Sequence, residues 1–390
     1  MPQSDPSCLV STDWLAEHLD APDVRVVDGS HHLGNAGRDA RAEFEAEHIP
    51  GAVFFEIDDI SDTTSELPHM APPSEKFASR VRKLGLGDGN RIVVYDNSDL
   101  WSAARVWWMF RLFGHQDVAV LDGGLAKWKS EGRPLDDMPA MPRERHFTPR
   151  RDATLVRDVT DVARASKVGD QQIVDARAAG RFAGTEPEPR EGLRSGRIPQ
   201  SVNVPYTDLL QDGTLRSEED LRAAFEKAGV DFSRPIITTC GSGITACVLA
   251  LGAELTGYKN VSVYDGSWTE YGTLTFGDMA KPNTWTKEEL LAYILMYVSH
   301  LDLKSSWKEK QYILSRVEKD VYTRVLEQFK KDTDYECLQN IVEGVKTHDY
   351  YRNDLADLFA DIKLMAFADG GYCQMEQIAY TELKKILKDL

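Results

Sequence analysis

The sequence predicts two tandem α/β domains, each built on a mostly parallel sheet, followed by a small all-α domain. Three observations predict this. An internal repeat with a period near 145 residues runs through the first 280 positions. Within each copy, short apolar strands alternate with helical patterns, the arrangement of a buried parallel sheet. Beyond residue 280 strand-like alternation is scarce, and apolar residues recur at helical spacing.

The repeat is legible strand by strand. Val26-Val27-Asp28 returns as Ile173-Val174-Asp175, an offset of 147. The turn His48-Ile49-Pro50 returns as Arg197-Ile198-Pro199, an offset of 149. The strand ending in Tyr95-Asp96 is matched by the one ending in Thr239-Cys240, and each is followed by a helical pattern. A last strand runs into Asp122-Gly123 in the first copy and Asp265-Gly266 in the second. The offsets drift only by loop-sized amounts, so both copies should share one topology, the first over 1–135 and the second over 152–280. Residues 136–151, with Pro139, Pro142 and Pro149, read as an extended linker crossing the surface of both.

The third segment, 286–390, reads as a bundle of about five helices. Leu290, Leu291, Ile294, Leu295 and Val298 mark one of them; Leu355, Leu358, Phe359, Ile362 and Met365 mark another. Basic residues also change type at its border: 23 Arg and 7 Lys precede residue 281, whereas 3 Arg and 13 Lys follow. The break near Lys281-Pro282-Asn283-Thr284 marks a join between segments of different origin.

Composition excludes several function classes. With 63 acidic against 46 basic side chains, the net charge is −17, the wrong sign for nonspecific nucleic-acid binding. No stretch resembles a signal peptide or a membrane span, and the five cysteines are too scattered for a disulfide framework. A reducing cytoplasm is the expected compartment.

The chemistry concentrates in Thr239-Cys240-Gly241-Ser242-Gly243-Ile244-Thr245, between a buried strand and a helix. Two glycines at such a junction let the backbone turn its N–H groups inward, a cradle for an anion and the setting of a nucleophilic cysteine. Cys247, on the apolar face of the following helix, reads as a core residue. The first copy places Asp96 where the second has Cys240, so only one copy carries the thiol. No arginine closes the loop as in tyrosine phosphatases, since Ile244, Thr245 and Ala246 stand there.

These residues resemble the rhodanese superfamily, in particular its two-domain 3-mercaptopyruvate sulfurtransferases. The resemblance spans about residues 8–278. It rests on the Asp122-Gly123-Gly124 turn, the run Ser102-Ala103-Ala104-Arg105-Val106-Trp107-Trp108-Met109-Phe110, the segment Gly180–Arg190 and the Cys240 loop. It implies tandem rhodanese-like domains, a silent first copy, and a Cys240 that carries a persulfide without a metal or organic cofactor. The neutral Gly241-Ser242-Gly243 run, with Ile244 and Thr245, fits a keto acid better than the dianion thiosulfate, the donor of related enzymes. The resemblance makes Arg181 and Arg190 a substrate clamp, although either is also placed to pair with Glu186 or Glu188. It implies a relay of Ser242, His69 and Asp58, the last two eleven residues apart, with Asp59 and Asp62 as alternatives to Asp58. The acceptor would be cyanide or a thiol, such as thioredoxin or a small thiol. The alternatives are a thiosulfate sulfurtransferase and a stress-response scaffold that binds partners or metal.

The helical segment resembles the TerB-like domain of tellurite resistance through Phe367-Ala368-Asp369-Gly370-Gly371 and Glu376. Asp302 with Glu309 and Asp369 with Glu376 each stand seven apart at a helix junction, suited to a hard divalent ion. The same positions serve equally as ordinary helix caps.

Overall fold

The computed structural model describes residues 8–274 except 35, 139 and 191, and in the C-terminal part 285–300, 307–330, 332, 334–347, 355–367 and scattered positions from 377 to 387. The chain divides into two units, Met1–Leu274 and Thr275–Leu390.

The first unit contains two five-stranded sheets. In one, β1 (Leu9–Val10), β2 (Val24–Asp28), β3 (Val53–Phe54), β4 (Arg91–Tyr95) and β5 (Val118–Leu121) lie in the order β1-β5-β4-β2-β3. In the other, β6 (Val156–Arg157), β7 (Gln172–Asp175), β8 (Val202–Asn203), β11 (Ile236–Thr239) and β12 (Val261–Tyr264) lie in the order β6-β12-β11-β7-β8. The two orders correspond strand for strand, and every pairing in both sheets is parallel. The short hairpin of β9 (Leu210–Gln211) and β10 (Thr214–Leu215) stands apart and has no counterpart among the described strands of the first repeat. Central β4 and β11 are buried along nearly their whole length because helices cover both faces of each sheet.

The helices after the central strands, Ala103–Leu112 and Ala246–Leu255, pack on each other. Both are apolar around their full circumference, which a helix tolerates only when other elements surround it. They knit the repeats into one core that includes Trp107, Phe110, Leu249 and Leu251. As a result, the C-terminal ends of β4 and β11, and the loops beyond them, fall near the seam between the repeats.

The proline-rich connector is extended and mostly exposed, and among the described residues it lies along the first repeat: Phe147 is buried beside Phe77 and Phe110, and Pro142 and Arg145 close over Gly85 and Gly87. One large apolar side chain among the prolines outweighs the solubility of the rest and anchors the segment.

The second unit has its own core. Helix Lys287–His300 buries Leu290, Tyr293, Ile294, Leu295, Met296 and Val298. It packs against Trp307–Arg316, Lys319–Phe329, Asp334–Thr347 and Leu355–Ala366. No helix among the described residues is long and apolar enough to cross a membrane.

Candidate active site

Cys240 ends β11 and is 2% exposed. Its carbonyl accepts the Trp268 N–H at 2.9 Å and its own N–H donates to Ser267 Oγ at 3.1 Å, so the backbone at the thiol is pinned from two sides. The Gly243 N–H points back at Cys240 Sγ, 3.2 Å away. That inward amide requires the left-handed turn at Gly243, where φ is +81°. A Cβ there would meet the Asp265 carbonyl at 2.8 Å and Arg105 Nη1 at 3.1 Å, and a Cβ on Gly241 would come within 3.1 Å of Arg181 Nη2. Both glycines are therefore places where neighbouring groups close on the loop. Ile244 and Thr245 accept the Cys247 and Val248 N–H groups and turn the chain into its helix. Cys247 is fully buried; burial pushes its thiol up to about 12, and its Sγ bonds the Gly243 carbonyl. It is packing, not chemistry.

The structure brings His69 and Asp58 together, with His69 Nδ1 2.8 Å from Asp58 Oδ1. This bond holds the Asp58 carboxyl below its ordinary value, against the effect of burial. The other ring nitrogen, Nε2, faces Arg190 Nη2 at 3.3 Å. Among the described residues Ser242, though buried, makes no hydrogen bond to His69, and it is Arg190 that meets the second ring nitrogen. Asp59 pairs with Arg80 and Asp62 caps the turn at Thr64, so neither stands in for Asp58. His31 stacks edge-on against His69 with centroids 4.7 Å apart; burial and the neighbouring imidazole push it down to about 4.

The two arginines differ. Arg181 is tied to Glu188 at 2.5 Å, and Glu188 is itself held by Arg177, which pairs with Asp175 at the end of β7. Arg190 has no carboxylate partner within ion-pair distance among the described residues. Burial pulls its guanidinium below the usual value, with Cys240 the largest charge acting the other way. The pattern of a tethered cation above the loop and an untethered one beside the thiol follows from which of them reaches the buried Glu188.

Two residues that carry the geometry had no role assigned from the sequence. Arg105, fully buried on the helix of the first repeat, bonds Asp265 Oδ1 at 2.7 Å, the Gly243 carbonyl at 3.3 Å and the His69 carbonyl. Asp265 Oδ2 accepts the Ala71 N–H at 2.7 Å. This pair clamps the His69 segment of the first repeat to the Cys240 loop of the second, and it holds His69 at the positive φ of 61°. The available signal was a lone Arg in the apolar run Ala103–Phe110. In the first repeat Asp96 fills the cysteine's place; its carboxylate is capped by Ser98 and Ser102, and burial raises its pKa.

In the helical unit Glu309 is buried, 1% exposed, while Asp302, Asp369 and Glu376 lie outside the described residues.

A cysteine in a strand-to-helix cradle at the seam of two α/β repeats with the same strand order defines a class, and comparison with known proteins agrees. The rhodanese-like domain family matches residues 11–131 and 158–273, and the chain belongs to that family. Within it, the chain is 48% identical over 270 residues to the human 3-mercaptopyruvate sulfurtransferase, covering 67% of this chain and 91% of that protein. The rat thiosulfate sulfurtransferase is 45% identical over 271 residues with the same coverages. The crystal structure of the Escherichia coli 3-mercaptopyruvate enzyme SseA aligns with a TM-score of 0.63 and 41% identity, covering 67% of this chain and 99% of that one.

Proposed function

We infer that the protein is a sulfurtransferase that moves sulfur from 3-mercaptopyruvate to a thiol or cyanide and releases pyruvate. The observation that carries this reading is the Cys240 sulfur, met by the Gly243 amide in a loop without fixed charge and flanked by the untethered Arg190. The relatives named above support the donor, and the neutral loop favours a keto acid over thiosulfate.

In the mechanism, Cys240 attacks as the thiolate on the sulfur of 3-mercaptopyruvate. A sulfur–sulfur bond forms, the carbon–sulfur bond breaks, and its electron pair leaves on carbon as the enolate of pyruvate. Arg190, with Arg181, binds the carboxylate and carbonyl and stabilises that enolate. The His69–Asp58 pair passes a proton to the enolate carbon, giving pyruvate. Cys240 retains the sulfur as a persulfide, whose charge the loop amides receive. An acceptor thiolate then attacks the outer sulfur, forms its own persulfide and returns the Cys240 thiolate. Ser242, buried in the loop, orients the donor through its hydroxyl. A small thiol or a thioredoxin-like dithiol serves as acceptor, in a reducing cytoplasm that suits the buried free thiols Cys8, Cys240, Cys247 and Cys337.

The helical unit is a TerB-like accessory domain, and the acidic positions Asp302, Glu309, Asp369 and Glu376 are its candidate ligands for a divalent ion.

Mass spectrometry of the protein after 3-mercaptopyruvate, and separately after thiosulfate, tests the function. One sulfur should be gained on the Cys240 peptide with the first donor, and none in Cys240→Ser. Preferential labelling by thiosulfate would shift the reading to the thiosulfate enzymes, which the 45% identity to the rat protein makes the natural second candidate.

A further inference from the structure

Beside the thiol loop, His31, Asp58 and His69 present three donor atoms within 4.8 Å of one another. Asp58 spans the two rings with its two oxygens, Oδ1 at 2.8 Å from His69 Nδ1 and Oδ2 at 4.0 Å from His31 Nδ1. A tetrahedral ion with nitrogen and oxygen ligands about 2.0–2.2 Å away needs donors roughly 3.3–3.6 Å apart. The two separations fall on either side of that value and the two histidine donors lie within 4.8 Å, so closing the set takes shifts of about an ångström shared by both rings and the carboxylate.

The backbone at both histidines is held from outside the cluster. The His31 N–H donates to Ser102 Oγ at 3.0 Å, and that hydroxyl donates on to the Gly29 carbonyl at 2.7 Å. His69 is fixed through its carbonyl by Arg105. The imidazole side chains are 11% and 7% exposed, whereas Asp58 is 61% exposed, so the ligands are preorganised and an ion has a way in. Two imidazoles and one carboxylate select a borderline ion such as Zn²⁺ over Mg²⁺ or Ca²⁺, which prefer oxygen.

We propose that His31, His69 and Asp58 form a zinc-type regulatory site, and that the ion reversibly shuts off sulfur transfer by occupying the relay. The shut-off rests on the reading of His69–Asp58 as the proton relay; the binding site does not. The chemistry of His69 explains why the two states exclude each other. In the metal-free arrangement Nδ1 donates its hydrogen to Asp58, and Nε2 accepts from Arg190 at 3.3 Å. An ion needs the Nδ1 lone pair, so the ring proton passes to Nε2, where it meets the Arg190 N–H head-on. Two donors do not share that contact, and Arg190 turns away. One ion therefore removes both the proton path and the cation that holds the donor's carboxylate.

His31 has no part in the sulfur-transfer steps, which makes it the discriminating substitution. The probe is Zn²⁺ alone, measured by equilibrium dialysis on the full chain carrying Cys240→Ser, so that the thiol cannot bind it. Adding His31→Gln or, separately, Asp58→Asn to that protein should weaken one bound zinc by at least about tenfold, the loss expected for a missing ligand. Two variants guard against one of them failing to fold, checked by thermal melting. In the active protein His31→Gln alone should leave turnover intact and raise the zinc concentration for half-inhibition by about the same factor, with chelator restoring activity. Zinc affinity unchanged in both folded variants overturns the site. Binding that depends on His31 but leaves turnover untouched at saturation overturns the shut-off, and with it the relay, while leaving Cys240 chemistry standing.

Discussion

Arg181 and Arg190 sit nine residues apart on one segment and look alike in the sequence, yet their surroundings separate them. The Arg181 charge is largely answered by Glu188, which is 1% exposed and cannot turn to water. Arg190 is half-buried, faces the His69 ring and has no carboxylate in ion-pair distance among the described residues, so its charge is less fully answered than that of Arg181. Arg190→Gln should lower kcat/KM for 3-mercaptopyruvate by about 10²–10³, the scale of removing one preorganised donor to a developing anion. Arg181→Gln should cost less, because Glu188 keeps its bond to Arg177. Steady-state kinetics of the two variants check this; a larger loss at Arg181 would reverse the assignment of the clamp. At this scale the sequence was informative where a motif carried the residue and silent where only burial did. The family resemblance pointed to Asp58 beside His69 while leaving Asp59 and Asp62 open, whereas His31 is an ordinary polar residue until the fold brings it against His69. Ser242 is placed in the loop by its adjacency to Cys240, but adjacency in the chain says nothing about which way its hydroxyl turns.

Among the elements, the helix Ala103–Leu112 changes most in meaning between sequence and structure. Its repeat of apolar residues predicts a buried helix, and it is one, but its position in the copy without the loop cysteine gave no reason to link it to the site. Arg105 makes that link by reaching from it to the Gly243 and His69 carbonyls and to Asp265. A fully buried cation is costly to place, and the pairing with Asp265 together with stacking over Trp108, 4.5 Å away, offsets the cost. Removing one member should therefore hurt more than removing both. Arg105→Met is expected to cost about 3–5 kcal/mol of stability by stranding the Asp265 carboxylate, and joining it to Asp265→Asn should recover part of that loss. The double variant should still turn over slowly, because His69 and the Cys240 loop lose their common anchor. Urea unfolding of the three proteins measures the coupling, and strictly additive losses would mean that the pair is not a clamp. The connector 136–151 teaches a related lesson: its prolines signal an extended chain correctly, but Phe147 decides where the chain lies.

Taken whole, the molecule separates its tasks along the chain. Every side chain assigned to sulfur transfer lies between Asp58 and Arg190 or in the loop from Cys240, and the main cores of the first unit draw on no residue beyond Val263. The helical unit has its own core, beginning at Leu290, and its own lysine-rich composition. A −17 chain that binds an anion must do so through local arginines against an unfavourable field, and most of that acidity belongs to the segment holding the site rather than to the helices. The repeat and the Arg-to-Lys change made this division readable from sequence, because both are properties of long stretches and do not depend on which side chains meet. A chain cut after residue 280 should accordingly fold, melt cooperatively and transfer sulfur from 3-mercaptopyruvate with kcat/KM within about twofold of the full protein, as expected for domains with separate cores. Circular dichroism melting and steady-state rates on the two lengths provide the check. A tenfold or greater loss in a shortened chain that melts normally would place the helical unit in the catalytic cycle, through the donor, the acceptor or the position of the loop, and would end the view of it as an accessory.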